Sequence, residues 1–331
     1  MGEEAELPIA EIEEKIKSVS SVTDGIRQQV GRAVIGQHTM VDRLLIGLLT
    51  GGHVLLEGVP GLAKTLAVRS LASVMKMDFR RIQFTPDLLP ADIVGTEIYN
   101  PKDGGFSTRK GPVFTNILLA DEINRAPAKV QSALLEAMAE KQVTLGDKTW
   151  ELADPFLVLA TQNPIEQEGT YPLPEAQADR FMMKIRVGYP TKEEERRILA
   201  LATAGFPELT PVAGPQDIED CRDAMAILRM EPVIAQYIVD VVHATRNPEE
   251  AGLDLKRFIE FGASPRATIA LAKTARAHAF LEGKAYVTPD DVKAMGPDVL
   301  RHRVLLSYEA EAEGMTAEHV IEQVFQKVAT P

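Results

Sequence analysis

The sequence predicts an α/β domain built on a parallel sheet, followed by a helical domain. Short apolar runs alternate with helical patterns between residues 53 and 187, which is typical of parallel strands joined by helices. Beyond about residue 190 the apolar positions recur only at helical spacing. We therefore predict two domains, residues 1–190 and residues 191–331.

The elements of the first domain follow in order. Apolar spacing predicts one helix within residues 9–33 and a second from Met40 to Leu48, which Gly51-Gly52 ends. The remaining predicted elements are strands at 53–57, 79–84, 116–121, 156–161 and 181–187, and a helix at about 127–141.

Two insertions interrupt this alternation. Residues 98–110 carry Asp103-Gly104-Gly105, and residues 142–152 carry Gly146-Asp147, each between strand-like flanks. Both segments predict β-hairpins.

Capping signals mark the helices of the second domain. Thr191 to Glu194 reads Thr-Lys-Glu-Glu, a capping box that opens a helix. Ser264-Pro265 and Thr288-Pro289 each place an N-cap residue before a proline suited to the first helical turn.

Composition excludes several classes of protein. The 331 residues carry a net charge of −12, and neither half is basic, so a dedicated duplex binder is not expected. Cys221 is the single cysteine, which excludes an internal disulfide and suits a reducing compartment. The apolar stretch 44–56 is too short to cross a bilayer, and the acidic start lacks signal-peptide features. We expect a cytoplasmic protein without a membrane segment.

A phosphate-binding loop is the most informative motif. Residues 54–65 read VLLEGVPGLAKT: an apolar strand, a loop with two glycines, then Lys64-Thr65 before a helical run. Backbone N–H groups of such a loop surround phosphate oxygens, Lys64 reaches the β- and γ-phosphates, and the Thr65 hydroxyl binds Mg²⁺. Ala63 stands where the strict pattern has glycine, which is tolerable at negative φ and costly at positive φ.

Carboxylates follow a second apolar strand. Asp121 and Glu122 end the run ILLADE, which places them at the carboxyl edge of a parallel sheet, beside the phosphate loop. Asp121 would hold Mg²⁺, directly or through water, and Glu122 would polarise the attacking water. Asn163 follows the next strand, where it can orient that water or touch the γ-phosphate. The alternative for Asn163 is a turn residue before proline.

Taken together, these segments resemble the MoxR family of AAA+ ATPases. The supporting runs are VIGQ (34–37), LLEGVPGLAKT (55–65), QFTPDLLPADIVG (83–95), GPVF (111–114), ILLADEINRAP (117–127), ATQNP (160–164), PLPEAQADRF (172–181) and FGASPRA (261–267). The resemblance implies an AAA+ P-loop fold with a parallel sheet flanked by helices and a C-terminal all-α lid domain. Gly-Leu-Ala-Lys-Thr is the usual loop in that family, and the hairpins match its helix-2 and pre-sensor-1 insertions.

The resemblance also implies roles for individual residues. Lys64 and Thr65 match Walker A, Asp121 and Glu122 match Walker B, and Asn163 matches sensor 1. The implied nucleotide-binding residues are Val34, Ile35 and Gln37 beside the adenine, Gly58, Val59, Pro60, Gly61, Leu62, Ala63, Lys64, Thr65 and Leu66 in the phosphate loop and helix start, and Arg266 as sensor 2.

Arg180 matches the arginine finger that reaches a neighbouring subunit's γ-phosphate. The alternative is a local ion pair with Glu175 or Asp179, and the alternative for Arg266 is an exposed side chain. Arg125 is a second candidate for such a role in trans. A finger supplied in trans requires an oligomer, and the family implies a homo-oligomeric ring, most simply a hexamer.

The predicted function is Mg-ATP hydrolysis by a chaperone-like remodeller of partner proteins. The resemblance implies clients that carry von Willebrand factor A domains. One alternative is a magnesium-chelatase-like motor that drives metal insertion into a porphyrin. Another is a nucleic-acid motor, which DNA-stimulated hydrolysis would indicate. A nucleotide-gated switch with negligible turnover is a third, which unchanged hydrolysis in Glu122→Gln would indicate.

Overall fold

A computed structural model describes residues 8–59, 61–101, 104–163 and 170–331. The strands are β1 (Val54–Glu57), β2 (Phe79–Gln83), β3 (Gly95–Asn100), β4 (Gly105–Lys110), β5 (Ile117–Asp121), β6 (Gln142–Leu145), β7 (Lys148–Glu151), β8 (Leu157–Gln162), β9 (Met183–Arg186), β10 (Ile259–Phe261) and β11 (Leu305–Leu306).

The helices follow the same chain order. They are α1 (Ile9–Gly31), α2 (His38–Thr50), α3 (Lys64–Val74), α4 (Pro90–Val94), α5 (Ala128–Glu140), α6 (Glu175–Ala178), α7 (Lys192–Ala204), α8 (Pro215–Ala226), α9 (Pro232–Arg246), α10 (Pro265–Leu281), α11 (Pro289–Leu300), α12 (Tyr308–Ala312) and α13 (Ala317–Lys327). No helix among the described residues is long and apolar enough to cross a membrane.

Within the described residues, five strands form one sheet in the order β2-β5-β8-β1-β9. β1, β5 and β8 are buried along almost their whole length, and their pairings with one another and with β2 are parallel. Strands buried on both faces must be continuously apolar, which is why these runs lack polar alternation. The predicted parallel sheet is confirmed, with strand ends within two residues of those expected.

Register aligns the carboxyl ends of the strands. Gln83 of β2 pairs with Asp121 of β5, and Ala120 pairs with Ala160 of β8. Glu57 at the end of β1 pairs with Gln162 at the end of β8. The polar residues that end these strands therefore meet along one edge of the sheet.

A buried histidine lies in the core of the α/β unit. His53 Nδ1 accepts a hydrogen bond from the Val158 N–H at 3.0 Å, and Nε2 lies 3.2 Å from the Met138 carbonyl oxygen. Burial lowers the pKa of His53 to about 4. The imidazole is therefore neutral at pH 7 and joins a strand to the end of α5.

Both predicted hairpins are present. β3 pairs with β4 and β6 with β7, all antiparallel, and the first hairpin begins at residue 95 rather than 98. Gly146 adopts φ +59 in the second turn, whereas Asp103 of the first turn lies outside the described residues. The Lys110 ammonium lies 4.1 Å from the centroid of the Trp150 ring, which joins the two hairpins through a cation–π contact.

The chain divides into two compact units, which depart from the predicted boundary at residue 190. Among the described residues, one unit comprises Gly25–Phe181 and Ile185–Pro215, and the other comprises residues 8–24, Met182–Lys184 and Gln216–Pro331. Long-range contacts that local patterns do not encode cause the difference.

Particular hydrogen bonds account for this division. The N–H groups of Val212 and Ala213 both donate to the Val74 carbonyl, at 2.8 and 3.2 Å, which ties the segment after α7 to the α/β unit. In the helical unit, Cys221 Sγ lies 3.9 Å from the Val19 carbonyl. Burial raises the pKa of Cys221 to about 12, so this thiol is unreactive at pH 7.

The described part of the second unit is helical apart from one short strand pair and the first two residues of β9. β10 and β11 form an antiparallel pair, which the expectation of an all-helical domain missed because two- and three-residue strands leave no period to detect. The predicted caps are confirmed: Ser264 Oγ accepts from the Arg266 N–H, and Thr288 precedes Pro289 at the start of α11. The capping box at Thr191 and Glu194, in the other unit, is also confirmed.

Candidate functional site: a phosphate cavity at the sheet edge

The phosphate loop joins the end of β1 to the start of α3. A Cβ atom on Gly58 would lie 2.9 Å from the Val187 carbonyl oxygen, so only glycine fits where the loop leaves the sheet. Gly61 adopts φ +86, a conformation that favours glycine. Pro60, which was assigned to the same loop, lies outside the described residues.

Ala63 occupies the left-handed region at the N-cap of α3, with φ 56 and ψ 17. A positive φ is unfavourable for alanine, because its Cβ atom lies too close to the following carbonyl oxygen. The conformation costs about 1–2 kcal/mol. Such a strained conformation persists only where the surrounding contacts hold the backbone in place. Strained residues are frequent at binding sites.

Lys64 begins α3 and extends back across the loop. Its Nζ donates to the Gly58 carbonyl oxygen at 2.5 Å. Burial lowers the pKa of Lys64 below its ordinary value, while the negative charges of Asp121 and Glu122 act in the opposite direction. The ammonium is a cation in a partly desolvated site, where its attraction for a phosphate is stronger than in water.

Asp121 ends β5 with both carboxylate oxygens occupied. Oδ1 accepts from the Thr161 hydroxyl at 2.5 Å, and Oδ2 accepts from Arg81 Nη2 at 2.6 Å and Arg81 Nε at 3.1 Å. The Asp121 side chain is 15% exposed. These donors fix the carboxylate at the edge of the sheet.

Glu122 follows in a left-handed conformation, with φ 56. Its N–H donates to Thr161 Oγ1 at 2.8 Å, so one hydroxyl holds the backbone of Glu122 and the side chain of Asp121. Oε2 of Glu122 accepts from Gln83 Nε2 at 2.6 Å and lies 3.2 Å from Arg125 Nε. The carboxylate of Glu122 is thus held by neighbours within the same chain.

These groups line one cavity of about 400 Å³. Its lining consists of Gly61, Leu62, Ala63, Lys64, Thr65, Leu66, Arg81, Gln83, Asp121, Glu122, Thr161 and Asn163. Nine of these residues were predicted from the sequence. Asn163 is 7% exposed and lies one residue beyond β8.

Sequence reasoning missed three lining residues, which are Arg81, Gln83 and Thr161. Arg81 and Gln83 are two apart on β2, so their side chains leave the same face of the sheet. Thr161 is a polar residue near the carboxyl end of an otherwise apolar strand. The alternation of side chains along β2 could have indicated that Arg81 and Gln83 share a face. It could not place them at the cavity, because the sequence does not show that β2 lies beside β5.

The residues expected beside the adenine do not line this cavity. Val34 and Ile35 are 2% and 8% exposed in the segment before α2, and Gln37 Nε2 donates to the Gly188 carbonyl at 3.2 Å. Gly58 and Val59 of the loop are also outside the lining.

The predicted arginines occupy other positions. Arg180 is exposed, and its Nη1 donates to the Leu135 carbonyl oxygen at 3.0 Å, outside the lining of the cavity. Arg266 is exposed in the helical unit, near the start of α10. Arg125 contacts Glu122 of its own chain.

The fold and the site define an AAA+ ATPase. The model of the ATPase family associated with various cellular activities matches residues 53–183, and that of the AAA lid domain matches residues 254–324. A crystal structure of a candidate ATPase from Cytophaga hutchinsonii superposes with a TM-score of 0.91 at 51% identity, covering 96% of this chain and 98% of that one.

Curated relatives narrow the class to a family. Chaperone MoxR1 of Mycobacterium tuberculosis is 52% identical over 92% of this chain and 81% of its own length. Protein MoxR of Methylorubrum extorquens is 32% identical over 92% of this chain and 94% of its own. The chain belongs to the MoxR family of AAA+ ATPases, and it is an ATP-binding, ATP-hydrolysing enzyme.

Proposed function

We propose that the cavity at the sheet edge hydrolyses Mg-ATP and that the chain uses the energy to remodel partner proteins. The proposed hydrolysis rests on one observation: Lys64, Asp121 and Glu122 line the same cavity. A cation, a candidate metal ligand and a candidate base are the groups that phosphoryl transfer to water requires.

The lining residues fit a magnesium-bound triphosphate. The Thr65 hydroxyl and the Asp121 carboxylate supply hard oxygen ligands, and two protein ligands leave positions for phosphate oxygens and water, which Mg²⁺ prefers. When bound, Mg²⁺ would neutralise charge on the β- and γ-phosphates. Lys64 would exchange the Gly58 carbonyl for phosphate oxygens.

Glu122 is the group that would act on the attacking water. Its carboxylate would accept a hydrogen bond from that water and so orient it toward the γ-phosphate. Asn163, across the same cavity, would hold the water or the γ-phosphate through its side-chain amide. Because Gln83 Nε2 donates to Glu122, the carboxylate is restrained by its own chain.

We further propose that the enzyme works as a homo-oligomeric ring, a hexamer, in the cytoplasm. Arg180 supports this proposal because it is exposed and lies outside the cavity of its own chain. An arginine so placed would complete a neighbour's site and stabilise the charge that develops on the transferred phosphoryl group. Arg266 of the helical unit would contact nucleotide as sensor 2.

The proposed clients are proteins that carry von Willebrand factor A domains. The name Chaperone MoxR1, borne by the relative from Mycobacterium tuberculosis, supports a chaperone activity for this chain. A purified von Willebrand factor A protein should change the steady-state rate of ATP hydrolysis. Stimulation by DNA instead, with a steep dependence on salt, would contradict the proposal in favour of a nucleic-acid motor.

Two variants test the catalytic assignment. Lys64→Ala should abolish nucleotide binding, and Glu122→Gln should bind ATP normally while turnover falls at least about a hundredfold. Equilibrium binding and phosphate release measure the two properties separately. Normal turnover in either variant would overturn the assignment of the cavity.

The ring is tested by mixing two inactive proteins. Arg180→Ala keeps its own cavity, and Lys64→Ala keeps its finger, so mixed rings should regain part of the ATPase activity of wild type. Arg196→Ala, an exposed arginine paired with Glu193 on α7, is the matched control and should remain active alone. Full activity of Arg180→Ala alone would exclude the finger.

A further inference from the structure

Arg81 is a cavity residue to which the proposed mechanism gives no task. It lies on β2 at the edge of the sheet, with its side chain 49% exposed. The guanidinium places two nitrogens on Oδ2 of Asp121, at 2.6 and 3.1 Å, and its Nη2 also donates to Gln83 Oε1 at 3.1 Å. The candidate metal ligand is therefore already paired with a cation.

This pairing conflicts with metal binding at the same oxygen. Oδ1 of Asp121 already accepts from the Thr161 hydroxyl, so a metal ion bound directly at Oδ2 would share that oxygen with the guanidinium. A guanidinium and a divalent cation on one carboxylate oxygen would repel each other strongly in a partly buried site. We therefore expect Arg81 to leave Asp121 when a metal ion binds directly at this oxygen.

The released guanidinium would have an evident partner. Arg81 and Lys64 line the same cavity, which must take a ligand with several negative charges. The planar fork of arginine matches the geometry of a carboxylate and of a phosphate equally well. A half-exposed arginine in the middle of an edge strand, with its side chain lining the cavity, has room to turn from one to the other.

We propose that Arg81 exchanges partners during the catalytic cycle: it binds Asp121 in the nucleotide-free enzyme and the terminal phosphate of ATP in the loaded enzyme. The inference rests on the proposed binding of Mg-ATP in this cavity. It makes Arg81 a residue that distinguishes ATP from ADP within its own subunit, because only ATP carries the third phosphate.

Arg80 provides a matched control on the same strand. Neighbouring side chains on a strand point to opposite faces, and Arg80 is exposed without being part of the cavity lining. Arg81→Gln and Arg80→Gln remove the same charge from adjacent positions. They differ in whether the charge faces the cavity.

The experiment measures binding of ATP and ADP at equilibrium in the Glu122→Gln background, which prevents hydrolysis, in the presence of Mg²⁺. Arg81→Gln should weaken ATP binding about tenfold, the loss expected for one charged hydrogen bond, and change ADP binding less than about twofold. Arg80→Gln should match the parent for both nucleotides. Unfolding of Arg81→Gln by urea should match that of Arg80→Gln, which verifies that the fold is intact.

Other outcomes separate this inference from the proposed function. Equal weakening of ATP and ADP in Arg81→Gln, or no weakening beyond that of Arg80→Gln, would overturn the exchange of partners. Lys64→Ala belongs in the same assay, because normal binding by that variant would overturn the nucleotide site itself. If Lys64→Ala fails to bind while Arg81→Gln behaves as Arg80→Gln, the site stands and only the role of Arg81 falls.

Discussion

Two aspartates make similar hydrogen bonds in different parts of the molecule. Asp121 ends a strand in the α/β unit and accepts from an arginine and a threonine hydroxyl. Asp291 lies in the first turn of α11 in the helical unit and accepts from Lys284 Nζ at 2.7 Å and from the Thr288 hydroxyl at 2.6 Å. His278 Nδ1 lies 2.8 Å from the same carboxylate.

The environments of the two aspartates differ. Asp291 is fully buried, and its bonded partners lie within 13 residues along the chain. Burial alone would raise the pKa of Asp291, but hydrogen bonds from His278, Lys284 and Thr288 outweigh it and hold the pKa well below its ordinary value of 3.8. This carboxylate is closed to any ligand.

Asp121 has partners 40 residues away and faces a cavity. Its surroundings are also strained: of the four non-glycine residues with positive φ in the described chain, Ala63 and Glu122 line that cavity. Thr288, at the cap of α11, has an ordinary extended conformation. A carboxylate whose hydrogen bonds are all made therefore does not mark a site by itself, whereas an open cavity and a strained backbone distinguish Asp121 from Asp291.

The largest expected effect is on catalysis. Asp121→Asn should lower ATP turnover at least about a hundredfold, because the amide is a poor ligand for Mg²⁺ and loses the negative charge. Its free energy of unfolding should change by less than about 1 kcal/mol, since the paired arginine is half-exposed. Steady-state hydrolysis and urea unfolding at pH 7 measure the two quantities. If Asp121→Asn kept its turnover, Asp121 would have no more role in catalysis than Asp291.

The next effect is on stability. Asp291→Asn should lower the free energy of unfolding by about 3 kcal/mol at pH 7, because Lys284 loses its counter-charge and His278 and Thr288 lose a buried hydrogen-bond partner. Turnover per folded molecule should be unchanged. Because the folded pKa lies below the unfolded one, the wild-type advantage is present above pH 3.8 and is lost as the pH falls below it. If the difference in the free energy of unfolding between wild type and Asp291→Asn grew as the pH fell, this prediction would be wrong.

The smallest effect concerns backbone strain at the cavity. Ala63→Gly should raise the free energy of unfolding by about 0.5–1 kcal/mol, the relief of positive φ less the extra entropy of glycine in the unfolded chain. Ala202→Gly, at an exposed helical position in α7, is the control and should lose about 1 kcal/mol. Urea unfolding measures both variants. If both lost the same free energy of unfolding, the backbone at Ala63 would not be strained.

Local patterns made much of this molecule predictable. The strand that precedes Lys64, the strand that ends at Asp121, and the capping box at Thr191 and Glu194 each depend on neighbours within a few residues. Hydrophobic period and capping chemistry act over that range, so the sequence predicts them directly. The same local patterns led to Lys64, Thr65, Asp121 and Glu122, which line one cavity.

What could not be predicted depends on strand order and register. Arg81, Gln83 and Thr161 reach the cavity only because β2 and β8 flank β5, and no local pattern encodes that adjacency. The sequence left the sign of φ at Ala63 open, because that angle depends on the path of the whole phosphate loop. The attachment of residues 191–215 to the α/β unit was missed because it depends on long-range hydrogen bonds to Val74.

The hydroxyl of Thr161 gives the site a mechanical property. It accepts from the Glu122 N–H and donates to the Asp121 carboxylate, and the chain continues from it through one residue to Asn163. The side chain of Asp121, the backbone of Glu122 and, two residues along the chain, Asn163 are thereby linked to a single hydroxyl oxygen. A displacement of the end of β8 would therefore move Asp121, Glu122 and Asn163 together.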